Sequence, residues 1–391
     1  MTRRILLVAL AVVLWGTTPP SHPGSDGVGI HWPMGAGLLS AQSAGPSVNG
    51  GVGTTLQTFR FSDAEAVGIE SITLITTPFA AGVRLGSTVR LEASSTFARG
   101  TLNRPEGGST SVSGLTDTRI QLFTDLVPGR LLVTGQLFLP TGADEFTADE
   151  LGLVGAVAAD LLPFEVSAWG SGGGMGAGVA FFQPMGRLGV GGSVGYTVPG
   201  EFSPVQDVDF RYRPGSVLTL QGTVDYTIDV RSRLALQVGW INFQEDEVQG
   251  VNLFQSGDRL EARGTWAFAA GDRGSGVAWL GYLHRSEGAF LDDLTTRPSQ
   301  GLYFAGTGFR QPWRGYVVVP TAELRVQRRD DGADQGTLAG AGLRVEVPVG
   351  GALFIPRLQL RGGSVMVREG VDSGFLGLES GFTLRFGGRG S

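Results

Sequence analysis

Long runs of strict two-residue alternation constrain this chain more than any other feature. In the segment RLEARGTWAF (259–268), charged residues hold one parity and apolar residues hold the other. As a β-strand it would place one face in an apolar medium and the other among charges, because successive side chains point to opposite sides. Such runs are about 10–15 residues long, whereas strands of globular proteins favour about 5–6. Further runs cover 216–228, 233–243, 316–327, 337–349 and 352–365.

The connections between these runs alternate between short turns and long loops. All long loops would therefore emerge at one end of the sheet, as in outer-membrane barrels. The pattern predicts an all-β fold, a transmembrane antiparallel up-and-down β-barrel of about 14–16 strands over residues 69–386. A soluble β-sandwich is the alternative, but its strands would be shorter. Short turns lie at 127–130, 184–187, 229–232, 270–273, 311–314 and 349–351, and long loops at 103–111, 141–165, 199–215, 244–257, 287–300, 329–335 and 367–375.

The N-terminus has the pattern of an export signal. Arg3 and Arg4 precede the apolar run 5–15, which is too short to span a bilayer as a helix. We assign residues 1–41 to a signal peptide region and leave the cleavage site open. Residues 42–68 form an N-terminal segment, either a plug or the first strand, and residues 387–391 form a C-terminal tail. Export and a barrel together predict the bacterial outer membrane.

The last predicted strand, GLESGFTLRF (377–386), alternates up to a terminal phenylalanine. Leu378, Phe382, Leu384 and Phe386 share one parity. This resembles the C-terminal signal by which the outer-membrane barrel assembly machinery recognises its clients. We therefore expect that machinery and outer-membrane lipids as partners.

Composition argues against catalysis and nucleic-acid binding. The net charge is −6, and the chain has no cysteine and only three histidines. His284 and Ser286 could belong to a hydrolase, but one such pair arises easily by chance. The acidic residues at 292–293 and 329–334 could bind calcium, although solvated loop charge explains them more simply. We expect no enzyme activity, no metal site and no cofactor.

The polar parity of the strands is predicted to line the barrel lumen. Charges of opposite sign are interleaved there, which favours an ion-paired wall over a dedicated solute site. A ring of one sign would instead indicate ion selectivity. The predicted lumen-lining residues are Arg119, Asp225, Arg233, Arg259, Glu261, Arg263, Glu323, Arg325, Arg344, Glu346, Arg357 and Arg361.

The loop 141–165 contains a helix signal. Thr147 and Glu150 form a capping-box pattern, and Pro163 ends the apolar run that follows. A short amphipathic helix at the barrel mouth is predicted, serving as a gate or merely packing the loop. The glycine-rich stretch 170–178 that follows favours a bend or kink in the barrel wall. The gate and loop residues would be Leu151, Val154, Leu161, Gly172, Gly173 and Gly174.

Three segments carry a resemblance to a known family. SGLTDTRIQLFTDLVPGRLLVTGQLFLPTGADEFTADE (113–150), GVGGSVGYTVPGEFSP (189–204) and YRPGSVLTLQGTVDY (212–226) look like outer-membrane transporters of hydrophobic compounds. The transporters that they resemble are those of the long-chain fatty-acid (FadL) type and their relatives in aromatic-degradation pathways, such as the phenol meta-pathway. The resemblance implies a fourteen-stranded barrel, an N-terminal plug and passage of apolar molecules. The chain departs from the family in lacking its Asn-Pro-Ala plug motif.

The leading functional prediction is an outer-membrane channel that passes small hydrophobic solutes by passive diffusion. A polar lumen also fits a general water-filled porin, with residues 141–165 as its constricting loop. A structural or adhesive barrel, whose outer loops bind a partner, is the second alternative.

Overall fold

The structure is a computed structural model that describes residues 48–208, 211–290, 296–368 and 371–387. The predicted signal region 1–41 lies outside these ranges, as do Asp292, Asp293 and residues 388–391 of the tail. Within the described ranges, no helix has the length and apolar character needed to cross a membrane.

Sixteen strands form a closed antiparallel β-barrel, as predicted. The first strand pairs with both the second and the last, which closes the ring. The fourth and fifth strands of the chain both pair with the third, so together they make one interrupted strand of the barrel. The fourteen strands implied by the family resemblance are therefore wrong. The strands are β1 Val48–Phe61, β2 Ser71–Leu85, β3 Val89–Asn103, β4 Ser109–Leu115, β5 Thr118–Val127, β6 Leu131–Leu139, β7 Gly174–Met185, β8 Leu188–Pro199, β9 Tyr212–Arg213, β10 Val217–Asp229, β11 Ser232–Phe243, β12 Glu245–Val248, β13 Val251–Gln255, β14 Arg259–Ala270, β15 Gly274–Arg285, β16 Gly288–Phe290, β17 Thr296–Arg297, β18 Gln300–Trp313, β19 Tyr316–Arg329, β20 Asp334–Val349, β21 Ala352–Arg368 and β22 Val371–Phe386.

The barrel wall begins earlier than residue 69. β1 lies in the wall, and a one-turn helix, α1 (Ala64–Val67), connects it to β2. Residues 48–61 are therefore a wall strand and not a plug. The RLEARGTWAF segment is β14, running from the long-loop end toward the short-turn end.

Three of the predicted long loops contain strands of their own. β9, β12, β13, β16 and β17 form a second, five-stranded sheet at the long-loop end of the barrel. The sequence predicted long loops at 199–215, 244–257 and 287–300 but not the sheet that they form. The β12–β13 turn at Gln249 and Gly250 has positive φ at both residues, the conformation of a tight hairpin turn.

The outward face of the barrel is an exposed apolar surface. Leu236, Leu280, Leu360 and Leu376 are among the large apolar side chains that are half-exposed or more. Soluble monomers rarely expose contiguous apolar surface on this scale, whereas lipid favours it. Aromatic side chains flank this surface toward both ends, as membrane-interface residues do. They include Tyr226, Trp266, Trp313 and Tyr316 toward the short turns, and Tyr196, Trp240, Tyr282 and Tyr303 toward the long loops.

Aromatic rings cover glycines on neighbouring strands of the inward face. A Cβ atom on Gly306 would lie 2.3 Å from the Trp279 ring, and one on Gly281 would lie 2.2 Å from Phe304. Glycine leaves room for the ring, and the ring covers backbone that glycine would expose. This pairing accounts for part of the high glycine content of the strands.

Candidate functional site: a loop folded into the barrel lumen

The segment 140–173, here called the lumen loop, connects β6 to β7 and enters the barrel. Its residues contact β14, β15 and β18 on one side of the ring and β1, β2, β3 and β21 on the other. A segment that contacts both sides must cross the lumen. The lumen is therefore narrowed from inside by the chain itself.

A buried helix forms the first part of the lumen loop. α2 (Ala148–Val157) begins at Thr147, whose capping box with Glu150 is present as predicted. The helix ends at Val157, with Ala158 as its C-cap, before Pro163. It packs its apolar face against β3 and β4, while Asp149 in its first turn is 79% exposed and pairs with Arg104 in the long loop 103–111, so the predicted short amphipathic helix is confirmed. Its buried residues are Leu151, Leu153, Val154 and Val157.

Asp160 ties the lumen loop to one wall of the barrel. Its carboxylate lies 3.2 Å from the Arg285 guanidinium and 3.9 Å from that of Arg259, and the two arginines are directly opposite each other on β15 and β14. Gln300 on β18 also donates to it, at 3.4 Å. Both arginine side chains are only 4% exposed, so this cluster is desolvated, and loss of Asp160 would leave two buried charges without the carboxylate they share.

Glu165 and Pro163 tie the lumen loop to the opposite wall. The Glu165 carboxylate accepts hydrogen bonds from Thr55, Thr76 and Arg357. The buried Gln57 amide donates to the Pro163 carbonyl at 2.8 Å and accepts from the Glu165 backbone N–H at 2.9 Å. Polar wall residues therefore satisfy the loop backbone, as buried polar groups require.

Apolar contacts fill the long-loop half of the lumen. Phe164 packs edge-on against Phe59, with ring centroids 5.0 Å apart. The Trp169 indole N–H donates to the Ala98 carbonyl at 3.1 Å, and its ring lies over Gly100. The cluster continues into residues of the second sheet, including Tyr212, Phe254 and Phe290. The core of the molecule therefore lies inside the barrel, beneath the second sheet.

The Asp117 carboxylate accepts hydrogen bonds from both ends of the lumen loop. Asp117 lies in the break between β4 and β5, and its carboxylate accepts from the Gly142 N–H at 3.1 Å and the Gly173 N–H at 3.4 Å. The Ser171 N–H and hydroxyl donate to it at 2.9 and 2.8 Å. Burial raises the pKa of nearby Asp144, and the negative charge of Asp117 raises that pKa further.

The glycines 172–174 turn the chain from the lumen loop into β7. All three have positive φ, and a Cβ atom at any of them would lie within 3.0 Å of a backbone oxygen. They are therefore required at the base of the loop, where the chain makes a tight connection into the start of β7. Leu151, Val154 and Leu161, the other predicted gate residues, lie buried in the core around the loop.

Every predicted lumen-lining residue lies on the inward face. Residues paired in register point to the same face, and the pairing can be followed from Thr55 and Gln57, which contact the loop, around the closed ring. Most of these residues form ion pairs with one another or with the loop. Arg361 bridges Glu323 and Glu379, each at 2.7 Å. The other pairs are Arg357 with Glu379 and Glu165, Arg325 with Glu323, Arg344 with Glu346, Arg233 with Asp225, and Arg259 with Asp160.

The remaining predicted residues make other contacts. Arg263 lies 5.9 Å from the Trp279 ring centroid, and Arg119 lies 5.5 Å from that of Phe138. Glu261 lies on the same inward face of β14 as Arg263. None of these placements by itself shows a role in solute passage, which stays a prediction.

Neutral polar side chains outnumber charged ones on the inward face from β5 to β11. The Gln136 amide donates to the Thr197 hydroxyl at 3.0 Å, and Gln121 is paired in register with Gln136. Gln221 and Gln237 continue this face on β10 and β11. The contacts of Asp160, Pro163 and Glu165 with the walls fall on other strands, while the Thr141 hydroxyl near the start of the loop is hydrogen-bonded to Thr118 at the start of β5.

Among the described residues, no hydrogen bond joins His284 to Ser286. The histidine Nε2 lies 3.0 Å from Asp330 on the outward face, while the Ser286 N–H donates to the Asp258 carbonyl. The acidic residues near 330 pair with arginines, Arg329 with Asp331 at 2.6 Å and Arg328 with Asp334 at 3.5 Å. In the described part of the chain no group of metal-ligating side chains is present.

Sequence reasoning missed the residues that hold the loop inside. Asp117, Asp160 and Glu165 each lie outside the alternating runs, so the alternation of polar and apolar residues could not identify them as lumen residues. The helix did carry a signal, because every residue from Leu151 to Val157 is apolar or glycine and leaves no polar face after the first turn. Such a helix is buried on several sides.

Comparisons with known proteins yield structural likeness only. No protein-family model matches the chain, and no curated protein matches it in sequence. A bacterial polysaccharide outer-membrane secretin is similar, with 11% identity and a TM-score of 0.46, over 86% of this chain and 98% of that one. A Rhodopseudomonas blastica porin with three substitutions has 13% identity and a TM-score of 0.39, over 88% of this chain and 100% of that one. At these values neither protein's function is transferred to this chain, and the FadL-type resemblance stays a prediction.

Proposed function

We propose that the protein is an outer-membrane channel through which small polar solutes diffuse passively. The observation that carries this proposal is the lumen loop, which crosses a closed barrel and is fastened to opposite walls through Asp160 and Glu165. A loop held this way would set the width of a passage without closing the ring. The apolar outer surface with aromatic side chains toward both ends supports a membrane location.

The passage would run between the lumen loop and the arc from β5 to β11. Glutamine, serine and threonine side chains face the lumen there, including Gln121, Gln136, Ser193, Thr197 and Gln237. Such groups exchange hydrogen bonds with water and with polar solutes at little cost. This arrangement favours the porin-like alternative over the hydrophobic transporter.

Passage of small hydrophobic solutes is the second candidate function. It is favoured by the apolar cluster that lies between the loop and the second sheet, with Phe202, Tyr212 and Phe254 among its members. An apolar solute could bind among these side chains, in place of some of the contacts that they make with one another. A barrel that only binds a partner through its second sheet would pass neither kind of solute.

The test is flux through the purified protein in liposomes. Swelling in isosmotic sugars of increasing size measures polar flux, and entry of a labelled apolar compound into the same vesicles measures the second function. We expect sugar flux with a sharp size limit. Replacing residues 144–169 with a short Gly-Ser linker should raise that limit, because the narrowing segment is gone, while heat-modifiable migration in gels confirms that the barrel is closed.

Apolar flux without sugar flux would overturn the proposal in favour of the second candidate. Absence of both, in a folded barrel, would overturn it in favour of the binding barrel. A size limit unchanged by removal of the loop would show that the loop does not set the width.

A further inference from the structure

Arg119 differs from the other arginines on the inward face. On the adjoining strand β3, Arg90 pairs with Glu92 at 3.1 Å, and on β11 Arg233 pairs with Asp225 at 3.0 Å. Arg119 makes no ion pair with any residue that the structure describes, and its Nε atom is buried without a hydrogen-bond partner. Its charge is therefore not compensated by the wall.

Phe138 holds the Arg119 side chain in place. The guanidinium carbon lies 5.5 Å from the ring centroid, and the two residues are paired in register across β5 and β6. An aromatic face attracts a guanidinium and restricts its motion, while leaving its N–H groups free to donate in the ring plane. The side chain is half-buried, so it is supported by the wall and still reaches the lumen.

The surroundings of Arg119 add hydrogen-bonding groups but no competing charge. Ser94 lies opposite it on β3, and Gln121 follows it on the same face of β5. Asp117, two residues before Arg119 in the break between β4 and β5, is the nearest acid along the chain, but the lumen loop already donates to both of its oxygens. Gly176 on β7 contributes no side chain, and the hydrogen-bonded Gln136 amide and Thr197 hydroxyl lie over it.

We propose that Arg119 binds the oxyanion group, carboxylate or phosphate, of small anionic solutes, so that the channel prefers anions over cations. An arginine fork matches the two oxygens of such a group, and its uncompensated positive charge concentrates anions beside it. This inference rests on the proposed function, because it assigns a solute class to that same passage. It places the selectivity on the arc away from the loop anchors.

Single channels in a planar bilayer provide the test. The reversal potential in a potassium chloride gradient gives the preference between chloride and potassium, and inorganic phosphate and acetate serve as blocking probes. We expect anion preference and block by both probes. In Arg119→Gln the half-blocking concentration should rise about tenfold or more, because one charge-assisted interaction is lost, whereas Arg119→Lys should retain most of the preference.

The matched control is the double variant Arg90→Gln, Glu92→Gln. It removes a second arginine that also lies over a ring, 4.4 Å from Phe123, together with its acid. Because the pair is neutral, we expect the reversal potential and the block to stay unchanged. Equal effects of both variants, or none from Arg119→Gln in a conducting channel, would overturn the anion site while leaving the proposed channel standing. A folded barrel without conductance would instead overturn the proposed function.

Discussion

Asp117 accepts hydrogen bonds from both the backbone N–H and the hydroxyl of Ser171, at 2.9 and 2.8 Å, although 54 positions separate the two residues. The same carboxylate accepts from Gly142, where the lumen loop begins. A single side chain thus closes the base of a loop that crosses the barrel. The strands remain paired around it, so loss of this contact should release the loop without opening the ring.

Asp117→Ala is expected to loosen the lumen loop. Several hydrogen bonds to one carboxylate are lost and their donors are left unsatisfied, a cost of about 3 kcal/mol, which corresponds to about 100-fold faster local exchange. Hydrogen exchange of residues 141–171 measures this, and single-channel recordings should become noisier. Asp125→Ala is the control. In the described part of the chain that side chain makes no hydrogen bond or ion pair, and it lies near the short-turn end of β5, away from the loop. Equal exchange in the two variants would contradict the role of Asp117.

Asp160→Asn is expected to destabilise the far anchor of the loop. It would leave Arg259 and Arg285 facing each other without the carboxylate they share, and removing one partner from a buried ion pair costs about 3–5 kcal/mol. Denaturant unfolding in detergent micelles measures the loss. Asp149→Asn is the control, since Asp149 is 79% exposed and its pair with Arg104 is worth less than about 1 kcal/mol. Similar losses in both variants would show that the anchor is not desolvated.

The faces of the strands were predictable because alternation is local. Leu260 and Glu261 point to opposite faces of the sheet because they are adjacent in a strand. The lipid-facing side can therefore be identified without knowing the partner strand. The inward course of the lumen loop was not predictable this way. It depends on Asp160 meeting Arg285 and on Glu165 meeting Arg357, contacts between residues more than 100 positions apart. The second sheet was missed for a related reason, since β9, β16 and β17 are too short to show a period.

Gly306→Ala is expected to strain the inward wall. The added methyl group would lie 2.3 Å from the Trp279 ring, and forcing a ring out of a packed site typically costs about 1–3 kcal/mol. Gly222→Ala is the matched control in another wall strand, because a Cβ atom there meets nothing within 4 Å. It should be neutral, or stabilising by less than about 1 kcal/mol. Unfolding midpoints of the two variants in the same detergent decide the matter, and an equal shift in both would exclude the aromatic cover as the reason for glycine.

The second sheet is expected to become less stable as pH rises. Asp246 is buried there and accepts from the Tyr212 hydroxyl at 2.7 Å and from the Gly215 N–H at 2.6 Å. Burial raises its pKa from 3.8 to about 6, more than these two hydrogen bonds lower it. A carboxyl group with a raised folded-state pKa contributes stability that is fully present below 3.8 and is lost as pH rises through about 6, in total about 3 kcal/mol.

Hydrogen exchange of residues 245–255, corrected for intrinsic rates, measures this between about pH 4 and pH 7.5, on either side of the transition. We expect stronger protection at the acidic end. Asp246→Asn should abolish the dependence, because an amide keeps the shape of the side chain without titrating. Glu245→Gln, which changes an exposed carboxylate on the same strand, should leave it intact. Protection that rises with pH in the unaltered protein would mean that Asp246 is stabilised as the carboxylate by its two donors, against the cost of its burial.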